Sequence, residues 1–246
     1  MFRIKCPRVA ILATLVIAFT TSCTTYERIL ATPQSTPVEL GMIGDLDATV
    51  TTKEFQTIGL PSLATKIRLQ PIFKSFNALD YKAYTKLKKQ ESLGFEINYV
   101  DSLPNKLEYV RLRLQDKSTL LSELNSAKNE TLRNQILNNK RADIVSQIDW
   151  VISEMNIQQL KAADAVYLSQ NVNGIPIILI SKDDQITELR FSDGVVLSYD
   201  VSQFCWGLNY KNEPELMAIS EKGSSCTGTL KRNGTKLKKE KNLFKY

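Results

Sequence analysis

Hydrophobic and polar residues alternate along much of the C-terminal half of the chain. Residues 174–181 (GIPIILIS), 186–191 (ITELRF) and 195–201 (VVLSYDV) are rich in β-branched and apolar side chains. The short turn sequences KDDQ and SDG separate these runs. In the second turn, Asp193 precedes Gly194, and glycine reaches the positive φ angles of a tight hairpin turn. The pattern therefore predicts an antiparallel meander.

The N-terminal part of the body predicts two strands and a helix. Residues 54–60 and 65–73 alternate, and Pro71 limits the second strand to a sheet edge or a strand end. Ser75 is expected to cap a helix that ends near Gly94. The expected apolar face of this helix consists of Phe76, Leu79, Ala83 and Leu87.

The middle of the chain mixes both periods. Residues 94–100 and 106–115 alternate and are predicted to pair as a hairpin. Residues 117–139 have helical spacing, with an interruption at 125–129. Residues 142–153 fit either a helix or a strand, and their β-branched content favours a strand.

The fold class predicted from these elements is α+β, with a single, mainly antiparallel sheet, two or three helices and a C-terminal β-meander. The chain shows no repeat of 20 to 50 residues that would indicate a solenoid or propeller. Hydrophobic residues make up 43% of the chain and charged residues 24%, which is typical of a globular protein. We expect one globular domain over residues 38–230.

The N-terminus has the pattern of an export signal. Arg3, Lys5 and Arg8 form a basic region, and residues 9–19 form an apolar run. This run is well short of the roughly 20 residues that a membrane-spanning helix needs. Residues 1–22 are therefore predicted to be a signal peptide, and the mature protein is expected outside the cytoplasm.

The sequence that ends this segment, Thr20-Thr21-Ser22-Cys23, resembles the lipobox of bacterial lipoproteins. The resemblance implies that Cys23 becomes the mature N-terminus and carries fatty acyl chains such as palmitate, although Thr20 replaces the usual Leu, Ile or Val. Ordinary signal peptidase cleavage is the alternative. Thr24 stands where an Asp would imply retention in the inner membrane, so the resemblance to Gram-negative lipoproteins favours the outer membrane.

The segment after the anchor is predicted to be a tether. Residues 23–37 contain two prolines and several threonines and lack a clear apolar period. The alternative is an edge strand or a short docking helix through Tyr26, Ile29 and Leu30.

The remaining cysteines predict a disulfide. Apart from Cys6 and Cys23, the chain contains only Cys205 and Cys226, and in an oxidising compartment these two are expected to pair. A redox role is disfavoured because the spacing is not C-x-x-C. No metal site is expected, because the chain has no histidine and few thiols.

The positive charge is concentrated at the C-terminus. The formal charge of +6 falls to +3 without residues 1–22, and residues 231–246 hold seven Lys or Arg and one Glu, so residues 23–230 carry −3. This basic tail could bind an anionic membrane, an envelope polymer or an acidic partner protein, or simply be solvated. Nucleic acid is not expected as a partner of an exported protein. The basic residues concerned are Lys231, Arg232, Lys236, Lys238, Lys239, Lys241 and Lys245.

Candidate catalytic chemistry is restricted to carboxylates. The absence of histidine excludes Ser-His-Asp triads, Cys-His dyads and H-E-x-x-H zinc sites. Asp45 and Asp47, together with Asp183 and Asp184, could act as the paired acids of an envelope hydrolase that cleaves glycosides or peptidoglycan. Turn formation is the simpler explanation for Asp183 and Asp184. Asp45 and Asp47 could also bind calcium, but the other oxygen ligands of a loop such as D-x-D-x-D-G are missing.

The function expected from the sequence is therefore that of a non-enzymatic, lipid-anchored envelope lipoprotein. It would bind a partner protein or polymer, or act as an accessory subunit of an envelope assembly. No cofactor is expected. The alternative is the carboxylate hydrolase.

Overall fold

The chain folds around one large antiparallel sheet. A computed structural model describes residues 29–31, 37–48, 53–91, 96–97, 99–100 and 107–237. The eleven strands within these residues are β1 (Ile29–Leu30), β2 (Ile43–Ala48), β3 (Lys53–Gly59), β4 (Ile67–Ser75), β5 (Glu108–Leu114), β6 (Ala142–Ile152), β7 (Ala165–Gln170), β8 (Pro176–Lys182), β9 (Gln185–Arg190), β10 (Gly194–Leu208) and β11 (Pro214–Glu221). The α-helices are α1 (Ala78–Glu91), α2 (Lys117–Asn125), α3 (Glu130–Asn138) and α4 (Glu154–Lys161), and Ala127–Asn129 and Phe191–Asp193 form 3₁₀ turns. The predicted α+β class, with a single sheet, is confirmed.

Two long strands form the centre of the sheet. The main strand order is β1-β10-β6-β5-β4-β7-β8-β9. β6 and β10 pair with each other along one edge. Along its other edge, β6 pairs first with β2 and then with β5, and β10 pairs along its other edge with β1 and then with β11. β3 extends the sheet beyond β2. The sheet therefore branches on both sides of the β6–β10 pair.

The strand interpretation of residues 142–153 was correct, as was the break between two helices at 125–129. All residues of β6 are buried. Ile148, Trp150 and Ile152 point into the main core, whereas Val151 packs on the opposite face of the sheet. Residues 148, 150 and 152 therefore share one face, as the alternating spacing predicts. The residues between them are buried as well, because the opposite face of the strand is also covered.

The two faces of the sheet are covered differently. The main core contains apolar residues from nearly all strands and from α2, α3 and α4. On the opposite face, α1 covers a smaller cluster in which Tyr84 and Leu87 pack near Tyr109, Val151 and Leu197. This helix covers only one end of its face, and the uncovered part includes the polar side chains of Gln70, Arg113 and Gln147.

Helix α1 begins later than predicted. The Asn77 side chain, not Ser75, accepts hydrogen bonds from the backbone N–H groups of Leu79 and Asp80. The buried face consequently shifts to Asp80, Tyr84 and Leu87, and Leu79 is 78% exposed.

The predicted hairpin of residues 94–100 with 106–115 was wrong within the described residues. Residues 96–97 and 99–100 are not in a strand, and β5 instead pairs with β4 and β6. Pro71 lies in the part of β4 that pairs with β5 alone, so its missing N–H faces no neighbouring strand.

The predicted C-terminal strands exist but are divided between two parts of the sheet. β8 and β9 form a hairpin at the sheet edge, whereas β10 lies at the centre. The expected tight turn at Asp193-Gly194 is instead a 3₁₀ turn, and Gly194 has an extended φ of −161°. Glycine is needed there because a Cβ would lie 2.4 Å from the carbonyl oxygen of Val151. The sequence did not predict helix α4 or the strands β2, β7 and β11.

Both ends of the described chain pack against the central strands. Ile29 and Leu30 pair with β10, as the edge-strand alternative had it, and Ile29 is buried. At the other end, Lys231 forms a β-bridge with Trp206, and Leu237 is buried in the main core. The packed body therefore extends past the predicted boundary at residue 230.

Candidate functional site

The polar part of the sheet face contains a row of directly paired side chains on four adjacent strands. Gln70 of β4 pairs with Arg113 of β5, Arg113 with Gln147 of β6, and Gln147 with Asp200 of β10. We call these four residues the polar row. They share the face that α1 covers farther along the sheet, because alternate residues of a strand lie on the same face.

The inner half of the polar row is buried. Gln147 is 7% exposed and Asp200 6%, and the amide Nε2 of Gln147 donates a hydrogen bond to Oδ2 of Asp200. Burying polar groups is unfavourable unless they find hydrogen-bond partners. The contact between Gln147 and Asp200 provides such a partner for both side chains.

A second row lies two residues farther along the strands. Arg111 donates from Nε to Oδ1 of Asp149 at 2.7 Å and from Nη2 to Oδ2 at 3.1 Å. The Ser198 hydroxyl donates to Oδ2 of the same carboxylate at 2.7 Å. The hydrogen bond to Asp149 raises the pKa of Arg111, while partial burial of the guanidinium acts in the opposite direction. Arg111, Asp149 and Ser198 thus form a hydrogen-bonded cluster, which we call the closed row.

Two serine hydroxyls lie beside the polar row, and one of them belongs to a β-bulge. Asp200 pairs with Gln147 and Val201 with Val145, so Ser146 has no direct partner in β10. A bulge redirects the side chain of its extra residue. The Ser202 hydroxyl donates to that of Ser146 at 2.7 Å, and both residues line the same pocket as the polar row.

This pocket has a volume of about 230 Å³. Its charged lining residues balance in formal charge, since they comprise the two cations Arg113 and Lys117 and the two acids Asp200 and Glu221. Lys117 donates from Nζ to the carbonyl oxygen of Ile219 at 3.3 Å. Arg113 is exposed and makes no ion pair or hydrogen bond with the described residues. The pocket can therefore offer an unpaired guanidinium beside buried amide and hydroxyl groups.

A separate ion-pair cluster ties the C-terminal segment to β6. Asp143 is 2% exposed, and its carboxylate contacts both Lys222, at 3.0 Å, and Arg232. Burial lowers the pKa of Arg232, and Asp143 acts to raise it. The sequence predicts that Arg232 contacts an anionic surface, but its guanidinium instead forms an ion pair within the protein.

The predicted disulfide residues come together. The Sγ atoms of Cys205 and Cys226 lie at disulfide distance, and their Cα atoms are 5.7 Å apart. Cys205 is fully buried in β10, so this contact fixes the segment after β11 to a central strand.

The candidate hydrolase carboxylates do not lie together. Asp45 forms an ion pair with Arg141 at 2.8 Å, and Asp47 lies farther along β2. Asp183 and Asp184 form the β8–β9 turn, where both have positive φ angles. Strands β7, β4, β5 and β6 separate that hairpin from β2.

Two other predicted features fall partly or wholly outside the described residues. Cys23 and most of the expected tether lie outside them, as do Lys238, Lys239, Lys241 and Lys245. Among the residues that are described, no cluster of three metal-ligating side chains occurs. Within the same part of the chain, no helix combines the length and the apolar character needed to cross a membrane.

Comparisons with known proteins return no match to a protein family, a curated protein or a solved structure. Sequence reasoning missed the polar row, although one signal was available. Gln147 and Asp149 interrupt the β-prone run 142–153, and Ser198 and Asp200 interrupt the run 195–201.

Proposed function

We propose that this protein is a non-enzymatic lipoprotein of the bacterial cell envelope that uses its folded body to bind a ligand or partner. In this proposal, the acylated Cys23 holds the mature chain in the membrane, in the outer membrane of a Gram-negative host. The body acts as a binding module or as an accessory subunit of an envelope assembly.

The observation that carries the binding role is the pocket over the polar row. Apolar side chains are sufficient to pack a sheet face, and burying polar groups there costs free energy. Departures of this kind are expected at functional sites. Here, buried Gln147 and Asp200 share a pocket with exposed Arg113. Such convergent polar groups in a concave site are typical of ligand recognition.

The anchor rests on the N-terminal sequence, and the structure adds a distance limit. Ile29, the first described residue, lies six positions after Cys23 and pairs with Tyr199 of β10. A chain of this length spans at most about 22 Å in any conformation. An acylated Cys23 would therefore hold the β1 edge of the body close to the membrane surface.

The positions of the candidate acids favour binding over hydrolysis. Hydrolysis of a glycoside by two carboxylates needs them about 5 to 10 Å apart, on either side of the scissile bond. Asp45 is paired with Arg141, and Asp183 and Asp184 shape a turn on a distant hairpin. The lysines beyond residue 237 remain predicted contacts with an anionic surface.

Membrane partition tests the proposal. We expect the wild-type protein from its own host to fractionate with membranes and to resist extraction by high salt, because acyl chains anchor through apolar burial. A Cys23→Ser variant should appear in the soluble fraction or remain as an unprocessed precursor. Cys6→Ser is the matched control, since it changes a cysteine in the same segment and should still partition with membranes. A soluble wild-type protein would contradict the anchor.

A further inference from the structure

We infer that the pocket over the polar row binds a small zwitterionic carboxylate, of the size and chemistry of a free amino acid. This inference deepens the proposed function by naming the ligand class of its binding site. It depends on the folded body alone, so it can fail or hold independently of the membrane anchor.

The closed row shows what a purely structural cluster looks like on this face. Arg111 is fully engaged there, with two hydrogen bonds to Asp149. Arg113 lies two residues farther along the same strand and on the same face, yet it has no such partner among the described residues. The difference between these neighbouring arginines points to a partner that arrives from solution.

The guanidinium of Arg113 favours a ligand that carries a carboxylate group. A planar guanidinium offers paired N–H donors that match the two oxygens of a carboxylate. Lys117 lines the same pocket and adds a second positive charge. The amide of Gln70, which is the direct cross-strand neighbour of Arg113, supplies a further donor or acceptor.

The carboxylates of the pocket favour a ligand that also carries an ammonium group. Asp200 and Glu221 line the site together with the two cations, so the formal charges of the lining cancel. A ligand with several negative charges would be repelled by these acids, whereas an ammonium or hydroxyl group would find acceptors. A ligand that carries both a carboxylate and an ammonium group therefore complements the pocket best.

The hydroxyl groups of Ser146 and Ser202 provide the remaining hydrogen bonds. They bond to each other at 2.7 Å, and both line the pocket although both residues are buried. A hydroxyl can donate one hydrogen bond and accept others at the same time. The pair can therefore contact a ligand without losing its mutual bond.

Calorimetric titration of the full-chain protein tests this inference. The probes are the common L-amino acids and their D-enantiomers, each compared with an amine and a carboxylate that lack one of the two groups, together with inorganic phosphate and glucose. At least one amino acid should bind saturably. Its matched amine and carboxylate should bind about tenfold more weakly or less, since each loses a hydrogen-bonded charged group.

Variants identify the site. Arg113→Met should weaken binding of that amino acid about tenfold or more, and Gln70→Leu should also weaken it. Arg190→Met is the matched control, because Arg190 is an exposed arginine of β9 away from the pocket, and it should bind like the wild type. Circular dichroism verifies that each variant is folded.

Four results would overturn the inference: no amino acid binds, phosphate or glucose binds more tightly than every amino acid, the single-group compounds bind equally well, or Arg113→Met binds unchanged. Titration of the Cys23→Ser protein separates this test from that of the anchor. Its binding should equal that of the wild type, whatever its membrane partition.

Discussion

At the scale of single residues, Arg111 and Arg113 differ in whether their guanidinium groups are paired within the described part of the protein. Both side chains belong to β5 and lie on one face of the sheet. Arg111 neutralises the carboxylate of Asp149, which is 2% exposed, whereas Arg113 lines an open pocket. One arginine therefore stabilises the fold, and the other is available for binding.

The first prediction concerns these two arginines. Arg111→Met should lower the free energy of unfolding by about 3 kcal/mol, because it leaves the buried charge of Asp149 without its bidentate partner. Arg113→Met should change stability by less than about 0.5 kcal/mol, since it removes no hydrogen bond or ion pair with a described residue. Urea unfolding at neutral pH measures both values. Equal losses in the two variants would contradict the assignment of different roles.

At the scale of elements, Glu123 connects α2 to the loop between β3 and β4. Its carboxylate accepts hydrogen bonds from the backbone N–H groups of Ala64, at 3.0 Å, and Thr65, at 2.8 Å. The side chain of Asn129 holds the same loop by bonds to both the N–H and the carbonyl of Ser62. Burial of Glu123 acts to raise its pKa, but the hydrogen bonds outweigh burial and hold the pKa below the ordinary value of 4.5.

The second prediction is a pH dependence with this origin. Because the folded state lowers the pKa of Glu123, its contribution to stability is complete above pH 4.5 and is lost as the pH falls through the folded-state value. A Glu123→Gln variant should be about 1 to 2 kcal/mol less stable at neutral pH. Its stability should also fall less between pH 5 and pH 3 than that of the wild type.

Urea unfolding at a series of pH values measures this difference. Glu188→Gln is a suitable control, because Glu188 is exposed on β9 and should leave both the stability and its pH dependence nearly unchanged. An acid-induced loss as steep in Glu123→Gln as in the wild type would show that other carboxylates account for it.

The local elements were largely predictable, whereas their pairing was not. The strand over residues 142–153 and the broken helix over 117–139 follow from side-chain spacing and β-branched content. The hairpin of residues 94–100 with 106–115 failed because two alternating runs do not specify which strands become neighbours. β5 pairs with β4 and β6 instead, and such long-range choices depend on the packing of both sheet faces.

At the scale of the whole molecule, the disulfide links a central strand to the C-terminal segment. Cys205 and Cys226 are separated by 21 positions, and the loop between them contains β11. Beyond this loop, Arg232 binds Asp143 and Leu237 enters the main core. The disulfide thus attaches the segment that leads into the basic tail to the central strand β10.

The third prediction follows from this loop. Reduction should lower the free energy of unfolding by about 3 kcal/mol, as expected for cross-linking a loop of this length. The fluorescence of Trp150 and Trp206, both buried, reports unfolding in urea with and without a reductant. The double variant Cys205→Ala, Cys226→Ala is the control and should not respond to reductant. A wild-type protein indifferent to reductant would argue that the two thiols are not bonded.

The polar residues that interrupt the β-prone runs are visible in the sequence, but the site that they form could not be located from it. Gln70, Arg113, Gln147 and Asp200 are far apart along the chain, and only the strand pairing brings them into one row. The bulge at Ser146 is likewise a property of the paired strands. The proposed anchor is the opposite case, because residues 1–23 are adjacent in sequence and an export signal would be recognised as a linear segment.

The most direct test of the central claim, an acylated envelope lipoprotein, is the mass of the N-terminal peptide of the mature protein from its own host. We predict a peptide that begins at Cys23 and carries a mass increment equal to several fatty acyl chains, and this increment should be absent from Cys23→Ser. An unmodified peptide that begins at Cys23 or at a neighbouring residue would contradict the account. It would instead show a protein processed by ordinary signal peptidase cleavage and released from the membrane.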